Sequence, residues 1–321
     1  MNRACLVLGF ITVAVLSASP ACTTCNGGGP PARAPSLKAG DHRRSLTHDG
    51  RKRSYILHVP PQYNGATALP LVFMLHGGTG TARQAARAYG WSEKADVNGF
   101  FVVYPDGVGN LQTWNAGHCC GAALRDDVDD IGFIAAIVNE LSDVVEIDTH
   151  RIYATGMSNG GMFSHRLGAE RPDLFAAIGP VAGTIGGQPT PNSPQYRPAA
   201  PGQHVPVIMF HGQQDHNVQY SGGPTESQIG GTRVDLSQAE TVAFWVATNG
   251  CDPTPTTTVL ADGDVIREAY ANSSDGTEVI LNTIVDGGHS WPGAKGGRTP
   301  ATQDISATDE IWAFFVAHPK P

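Results

Sequence analysis

Short apolar runs, each bounded by turn residues, recur along the chain. Residues 69–75 and 100–104 are almost wholly apolar, which is typical of strands buried on both faces of a sheet. Residues 54–59 alternate between polar and apolar positions and end at a Pro-Pro pair, so they predict an earlier strand. Further strands are predicted at residues 151–155, 174–181, 205–210 and 278–285.

Helical patterns lie between these strands. Residues 129–145 carry apolar side chains at three- and four-residue intervals, and Asp129 and Asp130 suit a helix N-terminus, where a carboxylate faces the dipole. Further helices are predicted at residues 159–169, 237–249 and 306–317. Strands alternating with helices predict an α/β fold, with a mostly parallel central sheet and helices on both faces. Active sites in such sheets lie beyond the carboxyl ends of the strands.

The composition is that of a globular domain. The 321 residues are 40 % hydrophobic and 16 % charged, with 39 Gly and 23 Pro, which excludes disorder, collagen and coiled coil. The net charge is −8, and the longest basic run is Arg51-Lys52-Arg53. Because nucleic acid binding needs a clustered positive surface, we expect no nucleic acid partner.

The N-terminal segment has the order of a secretory signal. Arg3 supplies a positive charge, an apolar stretch follows, and small residues precede Cys22. We expect a signal peptide over residues 1–21, a flexible Gly/Pro-rich tether over residues 22–39, and a catalytic domain over residues 40–321. The apolar stretch is too short for a stable membrane anchor. We therefore expect an exported protein, extracellular or periplasmic, with no transmembrane span.

Cys22 also raises the alternative of a lipid anchor. It directly follows Ala21, as in bacterial lipoproteins, whereas Ser19 and Pro20 depart from the lipoprotein pattern. The sequence is therefore compatible with two alternatives: a lipid anchor at Cys22, or an exported protein that is not anchored.

The remaining cysteines predict a disulfide. Cys119 and Cys120 are adjacent and Cys251 is distant, so we expect one of the pair to bond to Cys251 in an oxidising compartment. A zinc site is the alternative, but no second C-x-x-C or H-x-x-x-H partner has the required spacing. We expect no metal and no other cofactor.

Residues 156–160 read Gly-Met-Ser-Asn-Gly, between a predicted strand and a predicted helix. G-x-S-x-G in this context places a serine on a sharp turn, with its hydroxyl above the sheet and a helix N-terminus behind it. The flanking glycines fit because a Cβ there would meet neighbouring backbone. Ser158 is therefore the predicted nucleophile.

A serine nucleophile needs a base and an orienting acid. Asp215 and His289 each follow a predicted apolar strand. They therefore lie at the same sheet edge as Ser158, in the chain order Ser, Asp, His. We predict that Asp215 orients His289 and that His289 is the base.

Other acids and histidines fit less well. Asp286 is the rival acid, but it lies only three residues before His289 and more readily shapes that loop. His211 and His216 flank Asp215 and cannot easily reach between it and the serine.

Acyl transfer also needs N–H donors for the developing oxyanion. The backbone N–H of Asn159 is one predicted donor. The glycine loop after the first buried strand supplies the other, for which we favour Gly78, with Thr79 as the neighbouring option. Thr79, Trp114 and Trp291 are the candidate substrate-pocket residues, and core packing fits the two tryptophans equally well.

Six segments together resemble one family: LVFMLHGG, YPDG, WNAGHCCG, RIYATGMSNGGM, HGQQD and GGHSWPG. They are similar to those of the polyhydroxybutyrate depolymerase-like secreted esterases, which adjoin the feruloyl and acetylxylan esterases of carbohydrate esterase family one. The resemblance covers nearly the whole predicted catalytic domain and implies an α/β-hydrolase fold. It carries the triad onto Ser158, Asp215 and His289, and it supports Gly78 and Asn159 as oxyanion donors.

We therefore expect a secreted serine carboxylesterase that works through an acyl-enzyme. Its substrate is expected to be a feruloyl- or acetyl-type ester or a 3-hydroxybutyrate oligomer or polyester, on a small molecule, an oligomer or a polysaccharide. A secreted serine peptidase of the same fold and a non-catalytic envelope binding protein are the alternatives.

Two features bear on which ester is used. Several polyester depolymerases of the group carry Cys where this chain has Gly78, and we expect no appended substrate-binding domain. Both favour a soluble ester or a decorated polysaccharide over solid polyester. Residues 183–202 and 219–233, rich in Gly, Pro and Ser, are predicted to be irregular surface loops that shape the pocket.

Overall fold

The computed structural model describes Met1 and residues 37–227, 231–295 and 300–321. Every helix and strand described belongs to the unit Arg33–Pro321. Apart from Met1, the predicted signal peptide lies outside the described residues, as do Cys22 and most of the predicted tether. The first strand begins at Gly40.

Most strands belong to one central sheet. The strands are β1 (Gly40–His48), β2 (Arg51–Val59), β3 (Leu69–Leu75), β4 (Phe101–Pro105), β5 (Ile147–Met157), β6 (Ala177–Val181), β7 (Gly187–Gln188), β8 (Val207–Gly212), β9 (Gly223–Ser227), β10 (Gly231–Asp235), β11 (Thr256–Leu260), β12 (Val265–Tyr270) and β13 (Val279–Ile284). The ten-stranded sheet has the order β1-β2-β4-β3-β5-β6-β8-β13-β12-β11.

The middle of this sheet is parallel. Strands β4, β3, β5, β6, β8 and β13 run in one direction. The pair β1-β2 at one edge and the pair β12-β11 at the other are antiparallel additions. Because the parallel strands all end at the same edge, the loops that leave β3, β5, β8 and β13 meet there.

Helices cover both faces of the sheet. They are α1 (Ala82–Ala88), α2 (Trp91–Asn98), α3 (Gly121–Arg125), α4 (Asp130–Ser142), α5 (Asn159–Glu170), α6 (Gln238–Asn249) and α7 (Ala307–Ala317). One core contains Phe133 of α4, Phe163 of α5 and Trp245 of α6. The other contains Trp91 of α2 and Ile311 of α7. The predicted α/β class, a mostly parallel sheet between two helical layers, is confirmed.

A second sheet has three strands in the order β7-β10-β9. It runs through residues 183–202 and 219–233, so the prediction that these segments are wholly irregular is wrong. The strands are short and rich in Gly and polar residues, and they show no apolar alternation that a sequence pattern could reveal. These strands are defined instead by pairing between segments that are distant in sequence, such as the antiparallel pairing of Val234 in β10 with Gln188 in β7.

The described helices are too short, or too polar, to cross a bilayer. This finding concerns residues 37–227, 231–295 and 300–321 together with Met1.

Candidate active site

Ser158 occupies the turn between β5 and α5. Its backbone has φ 56° and ψ −121°, a conformation that residues with a Cβ rarely adopt. Two hydrogen bonds close the turn: the Ser158 N–H donates to the Val181 carbonyl (2.9 Å), and the Ser158 carbonyl accepts from the Met162 N–H (2.8 Å). The side chain is half-buried at the carboxyl edge of the sheet. This is the geometry expected of a nucleophile elbow.

Two glycines let this turn pack against β3. A Cβ on Gly156 would meet the backbone of Gly160, and a Cβ on Gly160 would overlap the carbonyl oxygen of Leu75. Neither obstacle is a flexible side chain that could move aside. The turn therefore requires glycine at both positions.

We expect Gly160→Ala to lower the free energy of unfolding by about 3 kcal/mol, because the added methyl group forces β3 and α5 apart. Urea-induced unfolding measures this change. Gly202→Ala is the matched control, since a Cβ there meets nothing within 4 Å, and it should change the free energy of unfolding by less than about 0.5 kcal/mol. Native stability in Gly160→Ala would disprove the close packing of the turn.

Asp215 and His289 lie side by side beyond β8 and β13. His289 Nδ1 is 2.7 Å from Asp215 Oδ2. The other carboxylate oxygen, Oδ1, accepts the backbone N–H groups of Asn217 (2.8 Å) and Val218 (2.9 Å). Because an ionised carboxylate only accepts, Nδ1 of a neutral His289 carries the proton and Nε2 is left as a proton acceptor.

The carboxylate of Asp215 is held in its ionised form. The residue is 3 % exposed, and burial by itself would raise its pKa. The hydrogen bonds that its carboxylate accepts from His289 and from the Val218 N–H outweigh burial and hold the pKa of Asp215 below its ordinary value. Asp286, the rival acid, is exposed and forms no side-chain hydrogen bond within the described part of the chain.

Backbone hydrogen bonds fix the two loops that carry this pair. The Gln213 N–H donates to the Ile284 carbonyl (2.8 Å), and the Gln214 N–H donates to the Gly287 carbonyl (2.9 Å). Gly212 lies so close to Gly287 that a Cβ would overlap the Gly287 carbonyl oxygen. The separation of the acid and the imidazole is therefore set by main chain rather than by flexible side chains.

His211 contacts the same carboxylate, a role not predicted from the sequence. Its Nε2 lies 2.8 Å from the Val218 carbonyl oxygen and 3.4 Å from Asp215 Oδ2. Both neighbours accept, so Nε2 carries the proton. Burial lowers the pKa of His211, which keeps the ring neutral. The only signal in the sequence is its place near the end of β8, four residues before Asp215.

The glycine loop after β3 lies beside the serine. A Cβ on Gly77 would be 3.5 Å from the Ser158 Cβ. The Thr79 N–H donates to the Leu111 carbonyl (2.8 Å), whereas the Gly78 N–H has no partner among the described residues. Of the two predicted donors in this loop, Gly78 is therefore the one available to a substrate.

Asn159 begins α5, and N–H groups in the first turn of a helix have no partner within that helix. Its side chain has a separate role. Oδ1 accepts the Trp114 N–H (2.7 Å), and Nδ2 donates to the Trp114 carbonyl (3.0 Å). The Trp114 indole N–H in turn donates to the His76 carbonyl (2.9 Å). These bonds tie the start of α5 to the glycine loop and so fix the two predicted oxyanion donors relative to each other.

Both tryptophans near the site pack in the interior. Trp114 is 0 % exposed and stacks on Phe163, with 5.4 Å between the ring centroids. Trp291 is 3 % exposed, contacts the Tyr89 ring and donates its N–H to Thr308 Oγ1 (3.0 Å). The structure favours core packing over the substrate-pocket alternative for both.

The predicted disulfide to Cys251 is wrong. Cys119 and Cys120 are bonded to each other, and Cys251 is free and buried. Cys251 lies before β13, with its Sγ 3.5 Å from the Thr277 carbonyl oxygen. Cys119 lies next to Asn159 at the opposite, carboxyl edge of the sheet. A disulfide needs Cα atoms within about 7 Å, which is far less than the length of the strands between them.

The described residues contain no group of three or more His, Cys, Asp or Glu side chains arranged to hold a metal ion.

Known proteins show sequence similarity over most of the chain. Residues 53–193 match the family described as esterase PHB depolymerase. NocK of Nocardia uniformis subsp. tsuyamanensis, described as an esterase, is 34 % identical, covering 87 % of this chain and 82 % of its own length. Feruloyl esterase B of Piromyces equi is 31 % identical, covering 76 % of this chain and 44 % of its own. Poly(3-hydroxyalkanoate) depolymerase C of Paucimonas lemoignei is 28 % identical, with 73 % and 58 % covered.

A solved structure shares the fold. The acetyl xylan esterase from Aspergillus awamori superposes with a TM-score of 0.60 over 86 % of this chain and 99 % of that one. The two sequences are 17 % identical.

Proposed function

Since the chain belongs to the PHB depolymerase family of esterases, carboxylic ester hydrolases with the α/β-hydrolase fold, we propose that it is an exported serine esterase acting through Ser158, His289 and Asp215. The observation that carries this proposal is the 2.7 Å hydrogen bond between His289 and Asp215. It lies at the sheet edge where Ser158 stands in its positive-φ turn. Export is proposed from the signal-like first residues.

In the first half-reaction, the Ser158 oxygen attacks the ester carbonyl carbon while His289 Nε2 takes the hydroxyl proton. Asp215 holds the imidazole in the Nδ1–H tautomer and stabilises the imidazolium that forms. The tetrahedral intermediate then collapses: the bond to the alcohol oxygen breaks, and His289 gives its proton to that oxygen. The acyl group stays on Ser158 as an ester.

Water completes the cycle by the same route. His289 Nε2 takes a proton from a water molecule, whose oxygen attacks the acyl carbon. The second tetrahedral intermediate collapses, the bond to the Ser158 oxygen breaks, and the imidazolium returns the proton to that oxygen. The carboxylic acid leaves and the starting protonation states are restored.

The proposed oxyanion donors are the backbone N–H groups of Gly78 and Asn159. Each such donor typically lowers the activation barrier by about 3 kcal/mol. The N-terminus of α5 adds a positive dipole end near the developing charge. The bonds from Asn159 to Trp114 and from Trp114 to His76 support preorganisation, because they hold the two donors in place before substrate arrives.

The proposed substrates are feruloyl- or acetyl-type esters or 3-hydroxybutyrate oligomers, the chemistries that the names of the relatives carry. Hydrolysis of a feruloyl ester, an acetyl ester and a soluble 3-hydroxybutyrate oligomer should be measured side by side, with Ser158→Ala as the control. We expect at least one ester to be hydrolysed with a kcat/KM about 10⁴-fold above that of the variant. Hydrolysis of amides but no esters would overturn the proposal in favour of a peptidase.

A further inference from the structure

A cavity of about 370 Å³ lies at the active edge of the sheet, apart from the triad. Its walls include Arg51, Leu111 and Arg125. We propose that this cavity binds a carboxylate carried by the ester substrate at a distance from the scissile bond. The inference rests on the proposed esterase function and narrows its substrate class to acidic esters.

Strand register places the cavity on the same edge as Ser158. Tyr55 of β2 pairs with Pro105, the last residue of β4. Because β2 runs antiparallel to β4, Arg51 lies four residues beyond the carboxyl end of that strand. The order β2-β4-β3-β5 then puts the cavity two to three strands from Ser158. At about 4.8 Å per strand, this is roughly 10–15 Å.

The cavity also adjoins the oxyanion loop directly. The Leu111 carbonyl accepts the Thr79 N–H (2.8 Å), so Leu111 is anchored to the residue after Gly78. Its side chain is nevertheless 51 % exposed. With Val108 and Ala122 it gives the cavity an apolar side. A substrate chain that leaves the scissile carbonyl toward this side would pass over Leu111 before it reaches the arginines.

The charges of the two arginines in the cavity indicate which chemical group would bind beside them. Arg51 is exposed and forms no ion pair within the described part of the chain. Arg125 is paired only with its neighbour Asp126, through an exposed contact of 2.9 Å that is worth little in water. One positive charge therefore remains uncompensated in a protein whose net charge is −8. Guanidinium groups bind carboxylates with matching geometry, so an acidic ligand fits.

Two kinds of ester present a carboxylate at such a distance. A short oligomer of a hydroxy acid ends in a free carboxylate, and an ester on an acidic saccharide carries a uronate. Both share the same chemistry: an ester to be cleaved, an extended linker, and an anion roughly 10–15 Å away.

The test compares matched esters with and without the charge. One pair is a 3-hydroxybutyrate trimer with a free terminal carboxylate and the same trimer capped as a primary amide. The other pair is a feruloylated xylo-oligosaccharide with and without a uronate branch. In the full chain we expect kcat/KM to be about five- to tenfold higher for the charged member of at least one pair, mainly through a lower KM. Raising the ionic strength should reduce this preference.

Two variants test whether the preference for the charged substrate arises from the cavity. The double variant Arg51→Gln/Arg125→Gln should bring the ratio of the two kcat/KM values to about one, with neutral esters still hydrolysed at the wild-type rate. Lys52→Gln is the matched control, because Lys52 is exposed, adjacent and outside the cavity lining. It should keep the preference.

A preference in the trimer pair alone identifies a hydroxy acid oligomer, and a preference in the saccharide pair alone identifies a uronate. Equal rates within both pairs overturn the inference, as does a preference that survives the double variant or is lost equally in Lys52→Gln. Each of these failures leaves ester hydrolysis itself intact. Failure of the proposed function is a different result, in which the wild-type chain cleaves neither charged nor neutral esters.

Discussion

Replacing Ser158 with alanine is expected to lower kcat/KM for every ester substrate by a factor of about 10⁴ to 10⁶. The variant lacks the oxygen that would form the acyl-enzyme. Its stability should change little, because the half-buried hydroxyl forms no hydrogen bond among the described residues and the backbone bonds of the turn remain. Alanine meets the same positive φ as serine does. Steady-state kinetics and thermal unfolding together separate lost chemistry from lost fold.

Ser142→Ala is the control for serine removal. Its hydroxyl donates to the Val138 carbonyl within α4 (2.9 Å), away from the carboxyl edge. This variant should retain wild-type kinetics. Residual activity above about 1 % in pure Ser158→Ala would mean that another group is the nucleophile.

Asp215→Asn is expected to lower kcat by about 10³ to 10⁴ with only a small change in KM. The physical reason lies in the bonds around the carboxylate. Because Oδ1 accepts the N–H groups of Asn217 and Val218, the amide oxygen of the new side chain must occupy that position. Its NH₂ group then faces His289 Nδ1, which has to become the acceptor. Nε2 takes the proton instead and can no longer remove one from Ser158.

Asp286→Asn is the matched control for this change. It is the other carboxylate near His289 in sequence, and its side chain is exposed. We expect its kcat to stay within about twofold of the wild-type value. A larger loss in Asp286→Asn than in Asp215→Asn would reverse the assignment of the acid. The two variants thus separate orientation of the imidazole from a general loss of negative charge.

The interior of the fold could be predicted from sequence because parallel strands buried on both faces are continuous apolar runs. The strand predicted at residues 69–75 is β3, and the strand predicted at residues 205–210 corresponds to β8, Val207–Gly212. Edge strands were missed. Thr256–Leu260 is almost wholly exposed, so no apolar face marks it, and only its pairing with β12 makes it a strand.

Some features of the candidate active site could likewise be predicted from the sequence, and others could not. The chain order of Ser158, Asp215 and His289, and their positions after apolar strands, were visible in the sequence. The contact of Asn159 with Trp114 was not, because it depends on how segments distant in sequence fold back on each other. The contact of His211 with Asp215 was not visible either, because it depends on the path of the loop that follows β8. Such contacts carry no periodicity that a sequence pattern could show.

The predicted disulfide to Cys251 is wrong because of the topology of the fold. Helix α6 returns the chain from the carboxyl edge of the sheet to the amino edge, where Asn249 bonds to Val205 before β8 begins. Cys251 follows directly, so it lies at the edge opposite Cys119 and Cys120. The predicted alternation of strands and helices implies these opposite positions, whereas the spacing of the cysteines along the chain does not.

The most direct test of the central claim is covalent labelling with a fluorophosphonate, with the modified residue located by mass spectrometry after digestion. We expect stoichiometric phosphonylation of Ser158, none in Ser158→Ala, and labelling slower by about 10³-fold or more in His289→Ala. An adduct on another residue, or an unchanged labelling rate in His289→Ala, would contradict a Ser158 nucleophile activated by His289.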